Sequence, residues 1–408
     1  MMKGHLQLAR SRGPVPAPSR LALAGVVVVG GDYQGLGIVR SLGRHNVRSC
    51  IIDDEFSIGR FSQCATYAVR VRNLRDEAQA VETVLDVGRR LGLEGWVLYP
   101  TRDETVAAFS RHRSVLTEWF RVPTPGWNTV QWAWDKRNSY RLAQELGIPT
   151  PRTWQVCDGG DLDRLDAVPP VVLKPAIKEH FFYATKVKAW RANTRAELAK
   201  RFAQAAALVG PDEVLIQELI PGDGRQQFAY CAFFKDQQAV ASMVVRRRRQ
   251  HPPELGRAST FVETVDVPLL ETLSERFLRA INYYGLVEIE YKRDPRDGQY
   301  KLLDVNARTW GYHTLGPQAG VDFPYLLFAD QLGEPVEPCR ARTGVRWIHL
   351  LTDLPVGALE ILSGRLTWQE YVASLRGCHT EAVLSREDPL PGLVELALVP
   401  YLCVKRGF

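Results

Sequence analysis

Apolar residues in the first third of the chain fall in short continuous runs separated by stretches of helical spacing. Residues 25–30 are Val-rich and end in glycine, 35–45 has a helical rhythm, and 47–52 is a second apolar run that stops at Asp53 and Asp54. That order is a βαβ unit, because strands buried on both faces read as unbroken apolar runs. Helical spacing over 74–91, an apolar run over 95–100 and helical spacing over 103–116 continue it. Together they predict an α/β, doubly wound, Rossmann-like domain over 21–125.

The pattern then changes. A Pro-, Gly- and Trp-rich connector over 122–134 leads into a helix that Asp135 caps, with Gly147 past its end and Pro149 and Pro151 preventing continuation. Strands are expected over 171–174, 183–190, 213–217, 227–234 and 239–245, with helices over 194–208 and 268–284. Thr194 and Glu197 are spaced as a capping box. Residues 286–292 and 300–305 read as a hairpin around Asp294-Pro-Arg-Asp-Gly298. Mixed strands and helices make 126–340 an α+β region, and 341–408 a weakly patterned C-terminal extension.

Composition narrows the class. Seven scattered cysteines, odd in number and without a C-x-x-C pair, argue against a disulfide framework or zinc site and suit a reducing, cytoplasmic setting. Residues 1–20 read as a disordered tail, and the apolar run after it meets a Gly30-Gly31 turn where a secretory signal would need a cleavage site. No apolar stretch approaches the roughly 18 residues of a membrane span. A net charge of +6 over 52 basic and 46 acidic residues suits anionic small molecules as well as nucleic acid.

The chemistry gathers in the hairpin. Residues two apart on a strand share a face, so Glu288 joins Glu290 on one strand and Asp304 joins Asn306 on the other. Three carboxylates and an amide are hard oxygen donors of the kind magnesium takes alongside phosphate and water. Asp304 and Asn306 lie among Leu302, Leu303 and Val305, where an idle carboxylate would be costly to bury.

The segments Gly285-Leu-Val-Glu288-Ile-Glu290-Tyr-Lys292 and Leu302-Leu-Asp304-Val-Asn306-Ala-Arg308 resemble the metal hairpin of ATP-grasp enzymes, nearest the carbamoyl phosphate synthetase and carboxylate-amine ligase branch. The resemblance implies ATP and Mg²⁺ as cofactors, with Glu290, Asp304 and Asn306 holding magnesium, Glu288 as the alternative to Glu290, and Arg308 on the phosphates. It extends upstream to Trp134-Asp-Lys136 and Val171-Val-Leu-Lys174-Pro175, which makes Lys136 and Lys174 phosphate ligands. Val214-Leu-Ile-Gln217-Glu218-Leu219-Ile220-Pro-Gly222 resembles the adenine hinge between two grasping subdomains, with Asp223 meeting the ribose. One departure stands out: residues 175–183, after the second lysine, contain no glycine, so Lys178, His180, Lys186 or Lys188 would replace backbone amides there.

The implied activity is ATP-dependent: a carboxylate becomes an acyl phosphate and an amine or thiol displaces phosphate. The implied partners are small molecules, one of them amino-acid-like, and a homodimer is compatible with the family. Arg246 and Arg248, two of four consecutive arginines, are the candidate grip for the substrate carboxylate, with the first domain near 32–37 or 101–104 as the fallback. Two other readings compete with it. Gly30-Gly-Asp-Tyr-Gln-Gly35-Leu-Gly37 lies where a nicotinamide oxidoreductase would have its dinucleotide fingerprint, but lacks its spacing. The Arg246 to Arg249 run suggests nucleic-acid binding, yet strict strand alternation would split it between two faces.

Overall fold

The computed structural model describes residues 24–401 apart from 157–161, 163, 254, 255 and 257; the expected N-terminal tail lies outside the described residues. The first sheet is parallel, with strands β1 (Gly25–Val29), β2 (Arg48–Asp53), β3 (Tyr67–Arg70) and β4 (Val97–Pro100) in the order β3-β2-β1-β4. Every residue of β1 and β4 is buried, which is why their sequences read as unbroken apolar runs. Gly35 and Gly37, on the Tyr33–Gly43 helix, permit close packing. A Cβ would come within 2.1 Å of the Gly30 carbonyl at Gly35 and within 2.5 Å of the His313 ring at Gly37.

The second sheet is antiparallel: β5 (Thr153–Gln155), β6 (Val171–Pro175), β7 (Trp190–Ala192) and β8 (Val214–Glu218), ordered β5-β8-β6-β7. Here the sequence expectation of a strand over 183–190 fails. Lys178–Thr185 is a helix, and only Trp190–Ala192 is extended. The alternating Phe181 and Tyr183 mimic a strand, but Phe181 is buried on the helix against Trp190, edge to face at 4.7 Å.

The third sheet is the largest. It runs β13-β12-β9-β10-β11-β15-β16 through β9 (Gln227–Lys235), β10 (Gln238–His251), β11 (Ala258–Thr264), β12 (Gly285–Arg293), β13 (Tyr300–Asn306), β15 (Arg346–Ile348) and β16 (Thr380–Glu381), with β14 (Cys339–Arg340) pairing β10. The strands β15 and β16 therefore carry residues beyond 341 into the same sheet. One apolar core joins β1 and its helix to β9, β10 and β12, through Val26, Leu36, Cys231, Phe233 and Leu286. A second packs the Lys136–Glu145 helix on the hairpin through Tyr140, Ala143, Leu302 and Val305. Asp135 caps that helix by accepting the Arg137 N–H at 2.9 Å, and Gly147 follows it at φ +65°. Among the described residues no helix is long and apolar enough to cross a membrane.

Candidate active site

Pairing of β12 with β13 sets Glu288 opposite Asn306 and Glu290 opposite Asp304. Two rungs, separated by the Ile289–Val305 pair and so on one face, thus present all four groups expected from the sequence. Directly opposite side chains lie within contact range, and the observed bonds follow: the Asn306 amide donates to Glu288 at 3.0 Å and to Glu290 at 3.4 Å.

The two glutamates have different surroundings. Arg247 reaches Glu290 at 2.8 Å; although burial pushes the Glu290 carboxyl up, Arg247 and Lys188 more than offset this and hold it well below the usual range. Burial and the neighbouring Glu290 push Glu288 up, and Glu288 accepts a short bond from the Tyr312 hydroxyl. Asp304 pairs with Lys136 at 3.0 Å. Burial alone would lower the lysine's pKa, but Asp304 outweighs it and the net direction is upward.

Two cavities meet here. The first, about 120 Å³, lies between the second and third sheets, with Lys136, Lys174, Gln217, Glu218, Leu219, Ile220, Glu290 and Asp304 among its lining residues. Val172, Leu219, Ile220 and Leu303 give it apolar walls, which suits a flat heterocycle. The Lys174 ammonium bonds the Tyr140 hydroxyl. Lys292, from β12, donates to the carbonyls of Ile220 and Gly222 at 2.8 and 2.7 Å and so ties the 217–222 segment to the hairpin. The Glu218 carboxylate is engaged by Lys301 at 2.9 Å and Arg296 at 2.7 Å. Asp223 does not line this cleft; its carboxylate caps the Gly224–Gln226 turn by accepting the Arg225 N–H. The ribose contact expected of it has no geometric basis here.

The second cavity, about 240 Å³, opens between the parallel sheet and the hairpin. Tyr33, Gln34 and Thr101 to Glu104 line it from the first sheet's loops, and Glu288, Glu290, Asn306, Arg308 and Tyr312 from the third. Arg308 lines this cavity and not the first, held by Asp103 at 2.6 and 3.1 Å. Asp103 also takes Lys178 at 2.5 Å; burial opposes ionisation, but Arg308 and Lys178 hold its carboxyl far below the usual range. Of the four candidates offered in place of the missing glycines, Lys178 and Lys188 line both cavities. His180 instead pairs with Glu213 at 2.8 Å, and Lys186 ends the Lys178–Thr185 helix at φ +62°.

The arginine run behaves differently from a regular strand. Register shifts between Arg247 and Arg249, and between Arg249 and Gln250, mark a bulge in β10. Only Arg247 reaches the hairpin cavity; Arg246, Arg248 and Arg249 line a separate one. Arg246 and Arg248, the expected carboxylate grip, therefore do not line the hairpin cavity, whereas Arg247 and the fallback segment 101–104 do. Even alternation along the strand would not single out Arg247, because the bulge is not visible in the sequence. Lys292 stood inside the hairpin motif without a role, and Tyr312 left no signal.

The donor chemistry fits magnesium. Glu290 and Asp304 lie on one rung and both line the first cavity, offering oxygen donors only. Among the described residues no group of three or more His, Cys, Asp or Glu gathers into a metal site. Magnesium commonly takes just one or two carboxylates beside phosphate and water.

A family model described as "ATP-grasp in the biosynthetic pathway with Ter operon" matches residues 231–351, which span β9 to β15 and both hairpin strands. The stretch that carries the hairpin is thus similar to ATP-grasp proteins. D-aspartate ligase of Enterococcus faecium (strain Aus0004) is 24% identical over 298 residues, 69% of this chain and 70% of that protein. The chain also superposes on the L-amino acid ligase of Bacillus licheniformis, at TM-score 0.60 and 15% identity, covering 77% of this chain and 75% of that one. The biotin carboxylase domain of the Hydrogenobacter thermophilus 2-oxoglutarate carboxylase, solved with MgADP and bicarbonate, matches at TM-score 0.63 and 15% identity over 78% and 72%. At these identities the structural matches speak for the fold.

Proposed function

We propose that this protein is an ATP-grasp enzyme, an ATP- and magnesium-dependent ligase that activates a carboxylate as an acyl phosphate and joins it to an amine. One observation carries the reading: the cleft walled by Lys136, Lys174 and the 217–222 segment and the cavity lined by Asp103, Arg247 and Arg308 share Glu290, Lys178 and Lys188 at their junction. A nucleotide in the first and an acid in the second would bring the terminal phosphate and the attacking oxygen together there. Glu290 and Asp304, with Asn306, would hold the magnesium, which when bound neutralises phosphoryl charge.

The chain's own residues do the rest. Lys136 and Lys174 bring ammonium groups to the nucleotide cleft, and Arg247 fixes the Glu290 carboxylate. The substrate carboxylate oxygen bonds to the terminal phosphorus as the bond to ADP breaks; the amine then adds to the carbonyl carbon, loses a proton, and phosphate departs. Catalysis of this kind is positioning and charge neutralisation, and needs no protein nucleophile. The second cavity has cations in Arg247 and Arg308 and anions in Glu104 and Glu179, a charge pattern suited to an amino acid's two ends. The names of the two ligases similar to this chain point the same way.

The dinucleotide reading finds no support in the first sheet. Its acidic residue, Asp53, accepts the Gly31 N–H at 2.6 Å and pairs with Arg102. The deciding experiment screens amino acids in pairs for stimulated ADP release, with mass detection of the condensed product. An amide formed with one ADP per bond is expected. Tight NADH binding with no ATP binding would overturn the proposal.

A further inference from the structure

Arg246 projects from the face of β10 opposite to Arg247, and there it enters a cavity of about 430 Å³. Six arginines line this cavity: Arg246, Arg248 and Arg249 from β10, Arg346 from β15, and Arg225 and Arg365 from the flanking turns. The bulge in β10 creates the concentration. In an even strand Arg249 would follow Arg247 to the hairpin side, whereas the extra residue turns it to join Arg246 and Arg248.

The positive charges are only partly matched. Arg249 pairs with Asp353 at 2.7 Å, Arg225 lies 3.5 Å from Glu360 and 3.8 Å from Asp223, and Glu370 also lines the cavity. Arg248 and Arg346 share one carboxylate, Glu263, at 3.3 and 3.2 Å. Arg246 and Arg365 have no ion-pair partner among the described residues. Burial, together with Arg246, Arg346 and Arg225, holds Arg248 below the usual arginine range against the pull of Glu263.

Backbone carbonyls hold the like charges in place. Arg246 donates to the Arg225 carbonyl at 2.8 Å and Arg225 to the Arg365 carbonyl at 3.2 Å. The Arg249 guanidinium lies 4.4 Å from the Phe261 ring centre and 4.8 Å from that of Tyr371. Such planar forks, fixed beforehand, match carboxylate and phosphate oxygens and lose little freedom on binding.

We propose that this cavity is a binding site for a small polyanion, either a phosphate ester or a di- or tricarboxylate, separate from the nucleotide cleft. The site belongs to the far side of β10, so its occupant need not take part in ligation. An anion there shares the strand that carries Arg247 to Glu290.

The test is calorimetric titration of the full chain with sodium pyrophosphate and, separately, with tricarballylate, in buffer free of divalent metal. Binding of one anion per chain is expected, and the tighter of the two probes identifies the phosphate or the carboxylate class. Replacing Arg248 and Arg365 together by alanine should weaken it at least tenfold, roughly 1.4 kcal/mol. The Arg248→Lys, Arg365→Lys pair keeps the charge and should bind with intermediate affinity, which separates lost contacts from lost folding. Lys136→Ala, in the other cleft, should leave the titration unchanged. The proposal is overturned if neither probe binds wild-type protein, if the alanine pair binds as wild type does, or if Lys136→Ala abolishes binding.

Discussion

Each carboxylate of the hairpin has a partner that sets its task. Glu290 lines both cavities while Glu288 lines only the second, so the near-isosteric changes Glu290→Gln and Asp304→Asn should each cut ADP release by roughly two orders of magnitude or more. Glu288→Gln should cost less, because its bonds are to Tyr312 and Asn306. Steady-state turnover of the three variants checks this, and equal losses in all of them would transfer the metal role to the glutamate pair as a unit. Removing Arg247 makes a different forecast. Arg247→Ala removes the ion-pair partner of a buried carboxylate and leaves only the more distant Lys188, and breaking such a pair typically costs about 3–5 kcal/mol. A clear fall in the melting temperature is expected as well as lost activity; activity lost at unchanged stability would mean that Glu290 is not anchored by this pair.

At the level of elements, the hairpin is tied to the segment that walls the nucleotide cleft by one side chain, Lys292, bonded to two carbonyls. Bonds involving a charged donor contribute roughly 1.5–3 kcal/mol each. Lys292→Met should therefore raise the dissociation constant for ATP by about tenfold or more, and an unchanged constant in calorimetric titration would show that the segment holds its position without it. The hairpin itself was legible in the sequence because a strand's period is two and its turn is short, which fixes which residues share a rung. The parallel sheet was legible for a related reason: fully buried strands leave no alternation to misread. Two elements were not. The Lys178–Thr185 helix carries three consecutive aromatic residues, Phe181, Phe182 and Tyr183, so periodicity alone could not decide between helix and strand. The bulge in β10 turns on one extra residue in a run of four identical side chains, and identical residues hold no register information. That single insertion moves Arg249 away from Arg247, and Arg246 and Arg248 line a cavity other than the one at the hairpin.

For the molecule as a whole, the second cavity keeps its shape only while the parallel sheet stays docked on the hairpin sheet, and His313 lies in that seam. It is buried, its ring faces Gly37 of the Tyr33–Gly43 helix, and its Nδ1 bonds the Trp310 carbonyl at 2.8 Å. Burial lowers its pKa from the ordinary 6.5 to about 4. The folded state therefore holds this ring neutral at a pH where the unfolded chain would protonate it. Between about pH 6.5 and pH 4 unfolding takes up a proton, so stability rises with pH across that window and falls as the solution is acidified. From pH 7 to pH 5.5 the loss from this one group amounts to about 1 kcal/mol. Other titrating groups act as well, so the informative quantity is a difference between proteins. Urea unfolding at the two pH values should show wild-type protein losing about 1 kcal/mol more than His313→Gln, which cannot titrate there. The variant itself will be less stable at pH 7, because the new side chain must pack where the ring met Gly37, but that penalty is the same at both pH values and cancels. Parallel losses in the two proteins would mean that the ring is reached by water or protonated in the folded state, and the seam between the sheets would then be looser than its packing implies.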